Sequence, residues 1–237
     1  MKPKRIFLIR HGQSLGNVSR KVYKTTPDHK IPLTSLGTTQ AYTAGGKIKK
    51  IIGDEEVCYY VSPYKRTRQT ACSIERVLQE THKIEDRFHD YKIYKEEPRI
   101  REQEWVNPAI DRMFGRDLLK TMYDERDEYG TFFYRIPGGE SGADVYDRIS
   151  TFLETLHRDF EKDDFPKNVI IVTHGLALRL FLMRWFHWTV EEYEDLLNPK
   201  NCQVVLMEKD DNGKYELISE IKRKSDKISD KILEGEN

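Results

Sequence analysis

The chain has 237 residues, 38% apolar and 34% charged, with Lys plus Arg and Asp plus Glu equal at 40 each. That length suits one large domain with a true hydrophobic core, and the equal charges give no reason to expect nucleic acid or an anionic membrane as partner. Cys58, Cys72 and Cys202 are too few and too widely spaced for a disulfide framework or a zinc site.

Met1-Lys2-Pro3-Lys4 leads into an apolar run only from Ile6 to Ile9, too short for a signal peptide or a membrane span, so a cytoplasmic location is expected. Arg5 to Arg10 reads as a strand covered on both faces. Thr34 caps a helix to about Ile52, expected to break or fray at Gly45-Gly46. Val57 to Ser62 is a second buried strand, and Pro63 suits the first turn of a helix reaching about Glu80. Cys58 and Cys202, in strand-like runs, are expected to be buried reduced thiols.

Glu104 to Arg135 is charge-rich and helical in pattern, and interrupts the alternation as an insertion or lid. Between Ser141 and Glu161 the apolar positions Val145, Ile149, Phe152, Leu153, Leu156 and Phe160 keep helical spacing. Asn168 to Thr173 is a third buried strand, and the helix Leu176 to Phe186 follows it. Gln203 to Glu208 and Tyr215 to Ile221 form an antiparallel pair around Asp211-Asn212-Gly213. The charged stretch 223–237 is expected to be a flexible tail after a single domain over 1–222.

This order predicts an α/β fold: a three-layer α/β/α sandwich whose sheet is mainly parallel with an antiparallel edge. Ligands of such sheets sit at the carboxyl ends of the strands. There the first strand delivers Arg10-His11-Gly12-Gln13-Ser14-Leu15-Gly16-Asn17, and the third delivers Thr173-His174-Gly175. The second ends in Ser62-Pro63-Tyr64-Lys65-Arg66-Thr67-Arg68-Gln69-Thr70-Ala71. Arg66 and Arg68 lie two apart on a helix and point different ways, so one of them enters the pocket. Guanidinium donors at a helix amino terminus suit a phosphate.

The RHG, SPxxRxxxTA and late HG elements, in this order and each at a strand end, resemble the histidine phosphatase superfamily, also called phosphoglycerate mutase-like. The likeness runs from about Lys4 to Glu220. It looks closest to a plant and fungal subgroup, through RHGQSLGN, VSPYKRTRQT, EEPRIREQEW, GGESGADVYDRI and LRLFLMRW. The resemblance implies His11 as the nucleophile that accepts the phosphoryl group, and His174 as the second pocket histidine. It implies Arg10 and Arg66 as the phosphate clamp, with Asn17 and Gly175 also at the phosphate. Glu102 fits the proton donor best, with Glu104 as the weaker candidate. Gln13, Ser14, Glu140 and Ser141 are placed at the pocket edge, although Ser141 with Asp144 also reads as a plain helix-capping pair.

The implied activity is hydrolysis of phosphomonoesters on a small phosphorylated metabolite, with no metal and no cofactor. The alternative is a phosphoglycerate mutase using the same phosphohistidine and a bisphosphoglycerate primer, and a third reading is a phosphate-binding scaffold. Mutases usually carry an F-T/C-G-W-x-D stretch after the RHG loop and paired arginines in the insertion. Here Val22 to Pro32 lacks the motif, and Arg112 and Arg116 are separated, which favours hydrolysis. Oligomeric state is not readable.

Overall fold

The computed structural model describes residues 2–79, 94–105 and 117–226. In chain order the elements are β1 (Arg5–Arg10), α1 (Leu15–Val18), α2 (Ser35–Ile52), β2 (Val57–Val61), α3 (Lys65–Leu78), β3 (Tyr94–Glu96) and α4 (Asp117–Tyr129). There follow α5 (Gly142–Phe160), β4 (Asn168–Thr173), α6 (Gly175–Phe186), α7 (Val190–Asp195), β5 (Val204–Lys209) and β6 (Tyr215–Leu217). The chain divides into two compact units. The first comprises Met1–Arg101, Thr151–His174 and Lys200–Ser219, and the second comprises Glu102–Ser150, Gly175–Pro199 and Glu220–Asn237.

The first unit holds the whole sheet, in the order β3-β2-β4-β1-β5-β6. β3, β2, β4 and β1 run parallel, while β5 and β6 form the antiparallel edge. Between their ends the central strands are apolar because both faces are covered. Phe7, Ile9, Tyr59, Val61, Ile170 and Val172 face α2 and α3, whose Ala41, Ala44, Ile48, Ala71, Ile74 and Leu78 complete this core layer. On the opposite face Tyr60 meets Phe152 of α5, with ring centroids 5.4 Å apart. The Tyr60 hydroxyl donates to Asp159, which also binds Lys95 and Lys162. A buried carboxylate is tolerated there because it has three partners. Both thiols are buried as expected, Cys58 on β2 but Cys202 in a turn ahead of β5 rather than in a strand, and burial pushes Cys58 up to about 11 and Cys202 up to about 12.

Several boundaries differ from the sequence reading. α2 runs unbroken through Gly45-Gly46. Gly45 is a contact residue, since a Cβ there would lie 2.9 Å from Cβ of Val77 and 3.1 Å from the Ile74 carbonyl, so glycine lets α2 and α3 approach. α3 starts at Lys65, later than expected from Pro63, because Tyr64 is extended and its carbonyl accepts from Thr67 and Arg68. β6 ends at Leu217, because beyond the bond from the Ile218 amide to the Leu206 carbonyl the Leu206 amide goes to the Ser219 hydroxyl instead of the main chain. β3 was not foreseen.

In the second unit, Phe132 packs edge-on against Tyr146 and Tyr193, and the Arg179 guanidinium lies over Tyr193. Trp105 sits beside Tyr123, and Trp185 stacks on Phe181. Of the expected lid, residues 106–116 lie outside the described residues, and the remainder falls in this unit. The expected flexible tail is tied down as far as residue 226: Arg223 pairs with Leu196, and Ser225 bonds Asp195. Its remainder, 227–237, lies outside the described residues. Among the described residues no helix is long and apolar enough to cross a membrane.

Candidate active site

The register of two parallel strands builds the site. Arg10 on β1 is level with Thr173 on β4, so His11 and His174 leave the sheet side by side. Their rings lie 5.2 Å apart, centre to centre, with planes inclined at 63°. Nδ1 of His11 is 2.7 Å from the carbonyl oxygen of Gly12. A carbonyl only accepts, so Nδ1 carries the proton and Nε2 carries the lone pair. Burial, then the charge of Arg66, hold the His11 pKa well below its ordinary value; the Gly12 bond opposes this and Arg10 adds to it. The ring is therefore neutral, and Nε2 is available as a nucleophile at neutral pH.

The backbone around His11 is fixed from several directions. The amide of Gly12 donates to the Thr70 hydroxyl at 3.0 Å. A Cβ on Gly12 would come within 2.4 Å of the Gly37 carbonyl, and one on Gly37 within 2.1 Å of the Gln13 carbonyl. These two turns touch main chain to main chain, which no larger residue permits. From the far end of the sequence, Nδ2 of Asn201 donates to the His11 carbonyl at 3.0 Å, and the Cys202 amide donates to the Arg10 carbonyl.

His174 is held differently. Its Nε2 lies 2.8 Å from the Ser62 hydroxyl, and its Nδ1 lies 3.4 Å from Nη2 of Arg66. Arginine only donates, so Nδ1 accepts, and neutral His174 donates from Nε2 to Ser62. Tyr64 meets the same ring edge-on at 5.0 Å, and the Arg66 guanidinium lies 4.9 Å above Tyr64. Arg66 is 4% exposed and binds Asp28, whereas Arg68 is half exposed beside Glu96, so one arginine of the two is turned inward. Two arginine charges beside a neutral imidazole at the end of a parallel sheet are a combination suited to holding a phosphate next to a nucleophile.

The sequence model of the histidine phosphatase superfamily (branch 1) matches residues 6–219. The chain belongs to that superfamily. Among curated relatives, the phosphoglycerate mutase-like protein AT74H of Arabidopsis thaliana is 43% identical over 230 residues, covering 91% of this chain and 77% of the relative. The broad-range acid phosphatase DET1 of Saccharomyces cerevisiae is 33% identical over 297 residues, covering 89% of this chain and 87% of its own. Among solved structures, Bacillus stearothermophilus YhfR superposes with a TM-score of 0.65 at 20% identity, covering 91% of this chain and 96% of that one. A mycobacterial glucosyl-3-phosphoglycerate phosphatase gives 0.62 at 19%, covering 92% and 98%. At such identities the two superpositions speak for a histidine phosphatase fold and no more.

The remaining residues implied by the family motifs divide between the units. Arg10, Gln13, Ser14 and Asn17 share the first unit with His11, Arg66 and His174. The Asn17 carboxamide oxygen accepts from the Ser14 amide and hydroxyl, closing the first turn of α1. Gln13 is tied by its amide to Gln40 and by its side-chain oxygen to Thr34. Glu102, Glu140, Ser141 and Gly175 belong to the second unit. There Arg148 pairs with Glu140 at 3.0 Å and also donates to the Glu102 carbonyl, so Glu140 fixes the backbone that carries Glu102. Glu102 is half-buried with one carboxylate oxygen on the Gln103 amide, while Glu104 is exposed. Ser141 and Asp144 exchange bonds as a capping pair ahead of α5. Gly175 is buried at the start of α6.

Asp28, Ser62, Asn201 and Arg148 were not singled out from the sequence. Ser62 and Arg148 stood inside family motifs and carried a signal; Asp28 and Asn201 reach their partners across 38 and 190 positions, with no local pattern to mark them.

Proposed function

We propose that the chain is a metal-independent phosphomonoester hydrolase working through a phosphohistidine on Nε2 of His11. The observation that carries this reading is the bond from Nδ1 of His11 to the Gly12 carbonyl, which leaves the lone pair on the other nitrogen. In the first step the N–P bond forms as the P–O bond to the leaving group breaks. Arg10 and Arg66 neutralise the charge spread over the phosphoryl oxygens. Glu102, assigned by its match to the family's donor position, gives its proton to the leaving oxygen. In the second step water adds to phosphorus, its proton passes to Glu102, and the N–P bond breaks. Neutral His174, Asn17 and Gly175 line the phosphate.

The expected substrate is a small phosphorylated metabolite, and the expected location is the cytoplasm. Among the relatives, the broad-range acid phosphatase DET1 of Saccharomyces cerevisiae supports hydrolysis in preference to isomerisation. The test is phosphate release from a panel of phosphorylated metabolites by the purified protein in the presence of a chelator. Hydrolysis of several compounds is the expected result. Conversion of 3-phosphoglycerate to 2-phosphoglycerate with a bisphosphorylated primer, without net phosphate release, would overturn it.

A further inference from the structure

The inward arginine is already holding an anion. Asp28 lies on a single 3-10 turn, Asp28–Lys30. Its Oδ1 accepts from Nη1 of Arg66 at 2.7 Å, its Oδ2 accepts from Nη2 at 3.3 Å, and its backbone carbonyl takes a second Nη1 bond at 2.8 Å. Nη2 also faces Nδ1 of His174 at 3.4 Å. A guanidinium has two hydrogens on each terminal nitrogen, and these contacts use all of them. Carboxylates and phosphoryl groups seek the same two-pronged edge of arginine, which cannot grip both at once.

Burial shows which partner can yield. The Arg66 side chain is 4% exposed and the Asp28 side chain 33% exposed. The segment before Asp28 is mostly exposed, and a firm anchor follows it, where Ile31 is fully buried and the Leu33 amide donates to Gln69 at 2.8 Å. Asp28 can therefore swing away without opening the core, whereas Arg66 cannot.

We propose that Asp28 is an internal competitor for the phosphate site: its carboxylate occupies Arg66 in the ligand-free protein, and an incoming phosphoryl dianion displaces it. The inference rests on Arg66 being the phosphate clamp of the proposed function. A monoanionic carboxylate ligand would exchange like for like and gain little, whereas a phosphomonoester dianion brings a second charge to the arginines. Asp28 thus sets the affinity threshold that an anion must pass. The opposing idea is that Asp28 stays in place and orients Arg66 for the substrate, and the two ideas predict opposite signs.

The test is calorimetric titration of inorganic phosphate, at constant pH and ionic strength, into the wild-type protein and the variants Asp28→Asn, Asp28→Glu and Arg66→Gln. If the open state is about a tenth of the population, removing the competitor tightens binding about tenfold. Asp28→Asn should therefore lower the Kd for phosphate by about that factor. Asp28→Glu, which keeps the charge, should stay near wild type, and Arg66→Gln should lose binding. A thermal melt of Asp28→Asn, lower without phosphate but shifted further upward by it, confirms that the variant is folded. Unchanged or weaker binding in Asp28→Asn, with loss in Arg66→Gln, would overturn the competitor while sparing the clamp. Binding that is indifferent to Arg66→Gln, or absent from every protein, would overturn the clamp and the competitor with it.

Discussion

His11 and His174 look like twins in the sequence, each a histidine after a buried strand and before a glycine, yet their surroundings give them different chemistry. His11 spends one nitrogen on a main-chain carbonyl, and its Nε2 has no hydrogen-bond partner among the described residues. His174 has side chains on both nitrogens, Ser62 on one and Arg66 on the other. A backbone acceptor fixes a tautomer and leaves a reactive atom, whereas two side-chain partners convert the same ring into a bracket. Reactivity here follows from what holds the ring, and residue type alone does not set it.

That contrast can be broken most decisively at the nucleophile. Replacing His11 with Ala should lower phosphomonoester turnover by about 10⁴-fold or more, and should abolish acid-labile labelling by a phosphate-labelled substrate. If His174→Ala lost the label while His11→Ala kept it, the two roles would be reversed. His174→Ala itself should retain labelling but slow turnover by about 10²-fold, because Arg66 loses a neighbour that places it. Ser62→Ala tests the bracket alone. It removes one buried partner of His174, at a cost of about 1–3 kcal/mol in unfolding free energy, read by denaturant titration.

The smallest effect is one of pH. Burial and the nearby arginine charges hold the His11 pKa below the ordinary value of about 6.5, so the acidic limb of kcat/KM should fall below that pH. Arg66 is one of the lowering charges, so in Arg66→Gln the limb of the residual activity should move upward. The same depression makes stability pH-dependent. Above about 6.5 His11 is neutral folded or unfolded; below it the unfolded chain takes up a proton first, so this group's contribution is lost as pH falls through the folded value. A melting temperature that rose on acidification through that window, in wild type relative to His11→Ala, would count against the buried neutral ring.

Much of this was legible in the sequence, and the reasons are local. β1 and β4 fell on their expected residues because strands covered on both faces are continuous apolar runs. The same logic failed for β3, where Tyr94-Lys95-Glu96 is a three-residue edge strand with two charged side chains. Gly45-Gly46 suggested a broken helix, but the glycine serves a helix–helix contact that only the folded chain reveals. At the site, His11, Arg66 and His174 announced themselves by their place at strand ends. The grip of Asp28 on Arg66 and of Asn201 on the nucleophile loop depends on contacts between distant segments, and a charged residue in a loop reads the same whether it is paired or solvated.

One consequence concerns the order in which the enzyme comes into being. β1 is central, flanked by β4 at residues 168–173 and β5 at residues 204–209, and the His11 carbonyl is secured by Asn201. During translation the nucleophile emerges first, and its flanking strands and its tether follow some 160 to 200 residues later. A nascent chain halted before Asn201 would carry the catalytic imidazole without its frame, so competence arrives only once these distant segments have joined.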